Sequence, residues 1–401
     1  MIATEYCKKV FDGTHDSPKP VENGRLLITS KHIANRSLDI SSAYLISEED
    51  FENVNKRSQV HQWDILFSMI GTVGNVYIET SEKIDYAIKN MGVFSCQNKE
   101  KAYWLYYYLQ SPLVQAKIDA LMAGAVQKFV PLGFLRDLDI PEYTENSKKV
   151  VQVLSALDDK IALNKKMNQK LERMAKRLYD YWFVQYDFPD KNGRPYKTIG
   201  GPMTYNPTLK REIPTGWEVK SLFDCSDVLY GFPYATEPFD EENLDASTKP
   251  YPVIRIRDIK DNTISAKTTE AVDDKYRTKV NDLLIGMDGY FHMSFWPRND
   301  DYINQRITRI RQKELSVVII YHQIAPFIKF KENQAKGSTV GHLSDKDMKQ
   351  INILVPNNSR LSEKFDSILN LITKNKQEIT RLTKLRDKLL PLLMNGQVEV
   401  K

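Results

Sequence analysis

Pro189-Asp190 followed by Glu218-Val219-Lys220 sets two carboxylates and a lysine in an order that could hold Mg²⁺ beside a scissile phosphate. That chemistry wants both carboxylates on adjacent rigid strands. Asp190 falls instead among turn formers, so a solvated turn is the expected reading, and a self-sufficient nuclease would rest on this pattern alone. The sequence has no GxxxxGK(S/T) phosphate loop, no GxGxxG after a strand, no HExxH and no GxSxG elbow. "YNPT" (205–208) lacks the second proline and the aromatic of the Asn-Pro-Pro-aromatic signature used by amino-methyltransferases. The six histidines show no metal-ligand spacing. Cys7, Cys96 and Cys225 form no CxxC pair and leave an odd thiol, which points to core packing in a reducing cytoplasm. The expectation is a non-catalytic chain with no metal and no cofactor of its own.

Binding is the remaining chemistry. The aromatic run "YDYWFVQYDF" (179–188) could stack bases, but it ends an amphipathic stretch, where Trp182 and Phe183 would cap a helical seam. "AYWLYYYL" (102–109) has its aromatics at helical spacing and reads as core. The net charge of +5 is uneven: nine Lys/Arg against four Asp/Glu lie between Ser147 and Tyr181, and eight against four between Ser359 and Asn395. These stretches carry +9, which leaves −4 for the rest. Lys-rich faces of this kind are mostly solvated, and they can also track a phosphate backbone or an acidic partner. No apolar run approaches the roughly 20 residues that span a bilayer, and the start "MIATEYCKKV" has no signal-peptide core.

The elements that must position these residues are written twice. "DILFSMIGTVG" (64–74) returns as "DLLIGMDG" (282–289), so that Asp64, Leu66, Met69 and Gly71 meet Asp282, Leu284, Met287 and Gly289 at one separation, 218. "CKKVFDG" (7–13) and "CSDVLYG" (225–231) keep it at Cys7/Cys225, Val10/Val228 and Gly13/Gly231. Both basic stretches have heptad periodicity, with Leu154, Leu157, Ile161, Leu171, Ala175 and Leu178 on one seam and Phe365, Ile368, Ile372, Ile379, Leu382 and Leu389 on the other. Neither contains Gly or Pro before Pro391, and they align at a separation of 215, as in Leu157/Ile372. Each follows a Pro-bounded strand-like phrase, "LRDLDIP" ending at Pro141 and "INILVP" ending at Pro356. Upstream, "RLLIT" (25–29), "GNVYIET" (74–80), "YPVIRI" (251–256) and "LSVVIIY" (315–321) read as β-rich runs, while "KAYWLYYYLQSP" (101–112) reads as a helix ending before Pro112. The stretch "YDFPDKNGRPYKTIGGPMTYNP" reads as a linker.

A duplicated module of β-rich domain plus long helix resembles the specificity subunit of type I restriction-modification enzymes. The phrases that carry the likeness are "FDGTHDSPKP" (11–20), "RLYDYWFVQYDF" with "GRPYKTIGG", and "IPTGWEVKSLFD" (213–224), and it extends over essentially the whole chain. The resemblance implies an α+β fold with a pseudo-two-fold internal repeat, in which two target recognition domains are joined by two long antiparallel helices forming a coiled coil. The implied bounds are 1–146 and 214–357 for the recognition domains, 147–183 and 358–396 for the central and C-terminal conserved helices, and 184–213 for the linker. Each domain would read one half of a bipartite site in double-stranded DNA. The helices would set the spacing and hold two methyltransferase subunits, with restriction/translocase subunits as further partners. S-adenosylmethionine chemistry on a flipped adenine would belong to the methyltransferase. The setting would be cytoplasmic, with no membrane. The first half has no counterpart to "IPTGWEVKS", so its first strand is expected to be absent or shortened. The competing class is a coiled-coil scaffold whose β-rich domains bind protein.

The halves agree at framework positions and diverge in loops, as in "THDSPKPVEN" against "FPYATEPFDEEN", and loops on a rigid scaffold are where base contacts are expected. The candidates are Thr14, His15, Lys31, Gln127 and Lys128 in the first half and Arg255, Arg257, Arg298, Lys336 and Thr339 in the second, as donors and acceptors for base edges or phosphates. Pairing helix positions whose numbers sum to 543 makes an antiparallel seam apolar almost throughout and sets Asn168 opposite Asn375, a polar pair that would fix register.

Overall fold

The computed structural model describes residues 1–34, 36–96, 98–123, 129–234, 250–335, 341–358 and 360–400. Two compact units divide the chain, Met1–Lys160 with Leu382–Lys401, and Ile161–Arg381. The fold is α+β and repeats, unit by unit.

In the first unit an antiparallel four-stranded sheet runs in the order Lys9–Asp12, Met91–Ser95, Asp64–Ser68, Val76–Ile78. The two central strands are buried along their whole length, which is why "DILFS" and "MGVFS" carry few charges. Successive strand residues point to opposite faces, so Ile65 and Phe67 join one core with the helix Lys99–Leu109, and Leu66 joins another. That second core is shared with a three-stranded sheet ordered Tyr44–Ile46, Arg25–Thr29, Tyr86–Lys89, whose last two strands pair in parallel.

The second unit reproduces this plan. Its four strands run Ser226–Tyr230, Ile307–Gln312, Leu283–Gly286, Met293–Phe295, and its three run Ala266–Thr268, Tyr251–Ile254, Tyr302–Ile303, again with a parallel pair. Leu283 and Ile285 face one core and Leu284 the other. The repeated aspartates have a local task. The Asp64 carboxylate accepts from the His61 backbone N–H at 2.8 Å, and the Asp282 carboxylate from that of Lys279 at 2.6 Å, closing the turn that feeds each strand. Within these turns Trp63 and Asn281 both take positive φ, 70° and 72°. Gly13 and Gly231 are required by close approach, since a Cβ would stand 2.6 Å from the Ile88 oxygen in one unit and 2.1 Å from that of Asn304 in the other.

The two long helices, Glu145–Tyr179 and Arg360–Met394, are 35 residues each. In the first unit, Asp158 accepts from Arg386 at 2.6 Å, and Leu154 shares a core with Leu390 and Leu393. In the second, Asn164 donates to Glu378 at 3.0 Å, Asn375 to Asn168 at 2.8 Å, and Asn168 to the Ile372 carbonyl at 3.2 Å. In the second unit the partner number falls as the helix number rises, so those segments run antiparallel.

Three readings of local structure change. "LSVVIIY" is not a strand: Val317–Ala335 is a helix, started by Ser316, whose hydroxyl accepts from Val318 N–H and whose carbonyl accepts from Ile319 and Ile320. Its β-branched residues are wanted for the apolar wall they add to the core, and tertiary burial overrides their intrinsic preference. In "LRDLDIP", Leu132–Arg136 is a short helix and only Asp139 bridges. That bridge, Ile2 with Asp139, stands where the second unit has the full pair Glu218–Ser221 with Asn352–Val355. The Pro- and Gly-dense stretch after the central helix is itself folded. Phe188 stacks between Trp182 at 4.8 Å and Tyr196 at 4.6 Å, and a hairpin pairs Met203–Asn206 with Arg211–Pro214.

Candidate nucleic-acid interface

The loops at one end of the first unit converge through hydrogen bonds. His15 sits between Asp12 Oδ2 at 2.9 Å and Asn90 Oδ1 at 2.8 Å, and the Thr14 backbone bridges to Lys89. Ser30 Oγ donates to the Asn90 carbonyl at 3.0 Å, and Thr72 Oγ1 donates to that of Ser30 at 3.5 Å. Lys31 is exposed on the 3-10 turn Ser30–His32. The turn 69–74 completes the set, with Gly71 and Gly74 at φ 77° and 88° and Ile70 bridged to Phe129. Thr14, His15 and Lys31 thus meet on one loop surface, with Lys89, Asn90 and Thr72 beside them.

The second unit builds the same end. Phe232 bridges to Asn304 as Thr14 does to Lys89, Gly289 takes φ 70°, and Asp288 bridges to His342 as Ile70 does to Phe129. Exposed Tyr290 stacks on His292 at 5.8 Å, and Arg306 lies 3.3 Å from Asp288. Arg255 and Arg257 flank this same end, at the short helix Ile256–Ile259, which follows the strand Tyr251–Ile254 as the turn Ser30–His32 follows Arg25–Thr29; the Ile254 carbonyl accepts from Asn304 N–H at 3.2 Å. Arg255 is half-buried, with its backbone N–H on Asp258, and exposed Arg257 donates to Ser265 Oγ at 3.1 Å. Arg298 is turned into the domain: its guanidinium reaches Asp301 at 2.9 Å, the carbonyls of Asn262 at 3.1 Å and Thr263 at 3.4 Å, and lies over Trp296. Gln127, Lys128, Lys336 and Thr339 lie outside the described residues.

Other cations are also structural. Arg309 is buried, donates to Asp227 at 2.6 Å and to the Lys275 carbonyl at 2.7 Å, and burial holds its pKa below the ordinary arginine value. Arg311 grips Asp282 at 2.8 and 2.7 Å. Asp190 caps its own turn, accepting from the backbone N–H groups of Asn192 and Arg194 at 2.8 Å each, and those bonds hold its carboxyl below the usual range. The residues that sequence reasoning missed, Ile70, Thr72, Asp288 and Tyr290, flank the repeated glycines Gly71 and Gly289. The repeat itself was the signal that located them.

The family model for the type I restriction modification DNA specificity domain matches residues 20–173 and 214–384. The chain is 26% identical over 317 residues to the type I restriction enzyme MjaIX specificity subunit of Methanocaldococcus jannaschii, covering 74% of this chain and 69% of that one. It is 24% identical over 321 residues to the HindI specificity subunit of Haemophilus influenzae, covering 65% and 69%. Its fold is similar to the crystal structure of the type I restriction-modification S subunit from M. genitalium, with TM-score 0.53 at 17% identity over 98% of this chain and 95% of that chain. Among the described residues no helix is long and apolar enough to cross a membrane.

Proposed function

The chain belongs to the type I restriction-modification DNA specificity family, and from that premise we propose how it works: each unit's loop end reads one half of a bipartite duplex site. The recognition domains are residues 1–146 and 214–357, and the helices fix the gap between half-sites and dock two methyltransferase subunits. Catalysis belongs to those partners. They supply S-adenosylmethionine and flip the target base, in the cytoplasm, while this chain contributes binding alone. One observation carries the reading: a loop end with the same bridges and the same left-handed glycine, Gly71 or Gly289, is built twice but dressed with different side chains. A repeated scaffold with diverged tips is what two readers of unlike sequences require.

The test exchanges residues 214–357 for the equivalent region of a relative and sequences the methylome of the host. One half of the methylated motif should change and the other stay. A change in both halves, or in neither, refutes the assignment of one half-site per domain. A pulldown that recovers no methyltransferase, but other proteins instead, would favour a scaffold.

A further inference from the structure

Ile70 and Phe129 are 42% and 43% exposed, although the backbone pairs them in an antiparallel bridge. Bridged residues share a face, with Cβ atoms about 4.5–5.5 Å apart, so the two form one apolar spot in water. The residues on either side are core: Met69 and Val130 are buried, and the Met69 carbonyl accepts from Val130 N–H at 3.0 Å. In the second unit the Met287 carbonyl accepts from Leu343 N–H at 2.8 Å, and the bridge beside it pairs half-buried Asp288 with exposed His342, joined at 2.6 Å. The framework is kept while the pair changes from apolar to ionisable. A position that tolerates this inversion is not serving the fold.

What surrounds the first pair indicates its ligand. The hydrogen-bonded chain from Thr72 through Ser30 and Asn90 to His15 ties the Ile70 turn to Lys31 and Lys89. An apolar spot on a loop end that also carries exposed Lys31, and Lys89 with its ammonium at Ser17 Oγ, fits a groove edged by phosphates, and the one apolar group a base pair offers in the major groove is the thymine C5 methyl.

Resting on the DNA-reading role above, we infer that Ile70 and Phe129 are specificity-determining residues, which select an A·T pair in the first half-site by packing against that methyl. The second unit places a polar pair there and has no equivalent methyl contact.

The experiment uses the chain in complex with its methyltransferase, on duplexes carrying the motif found by methylome sequencing. Each thymine is replaced in turn by deoxyuridine, which lacks the methyl. One replacement in one half-site should weaken binding roughly fourfold, the transfer value of a methyl-sized group. That penalty should vanish with Ile70→Ala plus Phe129→Ala, while any penalty in the other half-site persists. Should that variant fail to assemble, Ile70→Asp plus Phe129→His carries the pair that the second unit already folds around. No uridine-sensitive thymine in the wild-type complex, or a penalty that survives either variant, overturns the inference. A wild-type complex that binds no duplex and methylates no bipartite motif removes the DNA-reading role itself, which is a separate failure.

Discussion

Asn168 and Asn375 show what a single polar pair does inside an apolar seam. Asn168 is buried, its Oδ1 accepts from Asn375 and its Nδ2 reaches the Ile372 carbonyl, so a register shift would strand both amides. Replacing both by leucine should raise the melting temperature and loosen register, read as cross-linking between cysteines placed one heptad out of step. Asn168→Leu alone leaves the Asn375 amide without its partner and should lower stability by about 1 kcal/mol. His322 sets a second residue-scale expectation. Burial pushes its pKa from 6.5 down to about 4, with Lys176 adding like-charge repulsion. The unfolded chain then holds the proton more tightly than the folded one. Stability should therefore be full above pH 6.5, decline as pH falls towards 4, and lose nothing further from this group below that. The total is on the order of 3 kcal/mol. Denaturation midpoints followed across that range should flatten in His322→Phe, and an unchanged slope would rule this histidine out as the cause.

At the scale of elements, periodicity was legible wherever one physical constraint dominated. The heptads predict two long helices, and "RLLIT" and "YPVIRI" predict strands that form at Arg25–Thr29 and Tyr251–Ile254. Periodicity failed at "LSVVIIY", where a fully buried helix and a buried strand carry the same apolar run. The 218 separation could have decided it, because it carries the helix Lys99–Leu109 onto Val317 and the residues after it. A 35-residue helix at about 1.5 Å per residue is roughly 52 Å long, and the spacing role proposed for the helices can be tested by changing that length. Inserting one heptad after Met167 and a matching one after Leu382 should lengthen the unspecified gap in the methylated motif. Methylation that keeps its original gap would mean that the helices are not the ruler.

For the molecule as a whole, duplication was the most informative property, because two copies of one solution expose what the fold needs and what it leaves free. Asp64/Asp282 and Gly13/Gly231 recur because a turn must be closed and a backbone must approach a carbonyl, and such local demands restrict residue type wherever the unit is built. The sequence by itself determined the repeat, the long helices and the β-rich modules, since each is written in spacing or composition. Only the tertiary structure decided which polar residues remain available. Arg298 is a candidate surface cation in the sequence, yet its guanidinium is held by Asp301 and by the carbonyls of Asn262 and Thr263, as that of Arg309 is by Asp227 and the Lys275 carbonyl. Ile70 and Phe129 are merely apolar in the sequence, and only the fold brings them together at an exposed tip. Burial and pairing are set by contacts between residues distant along the chain, and no local pattern encodes them.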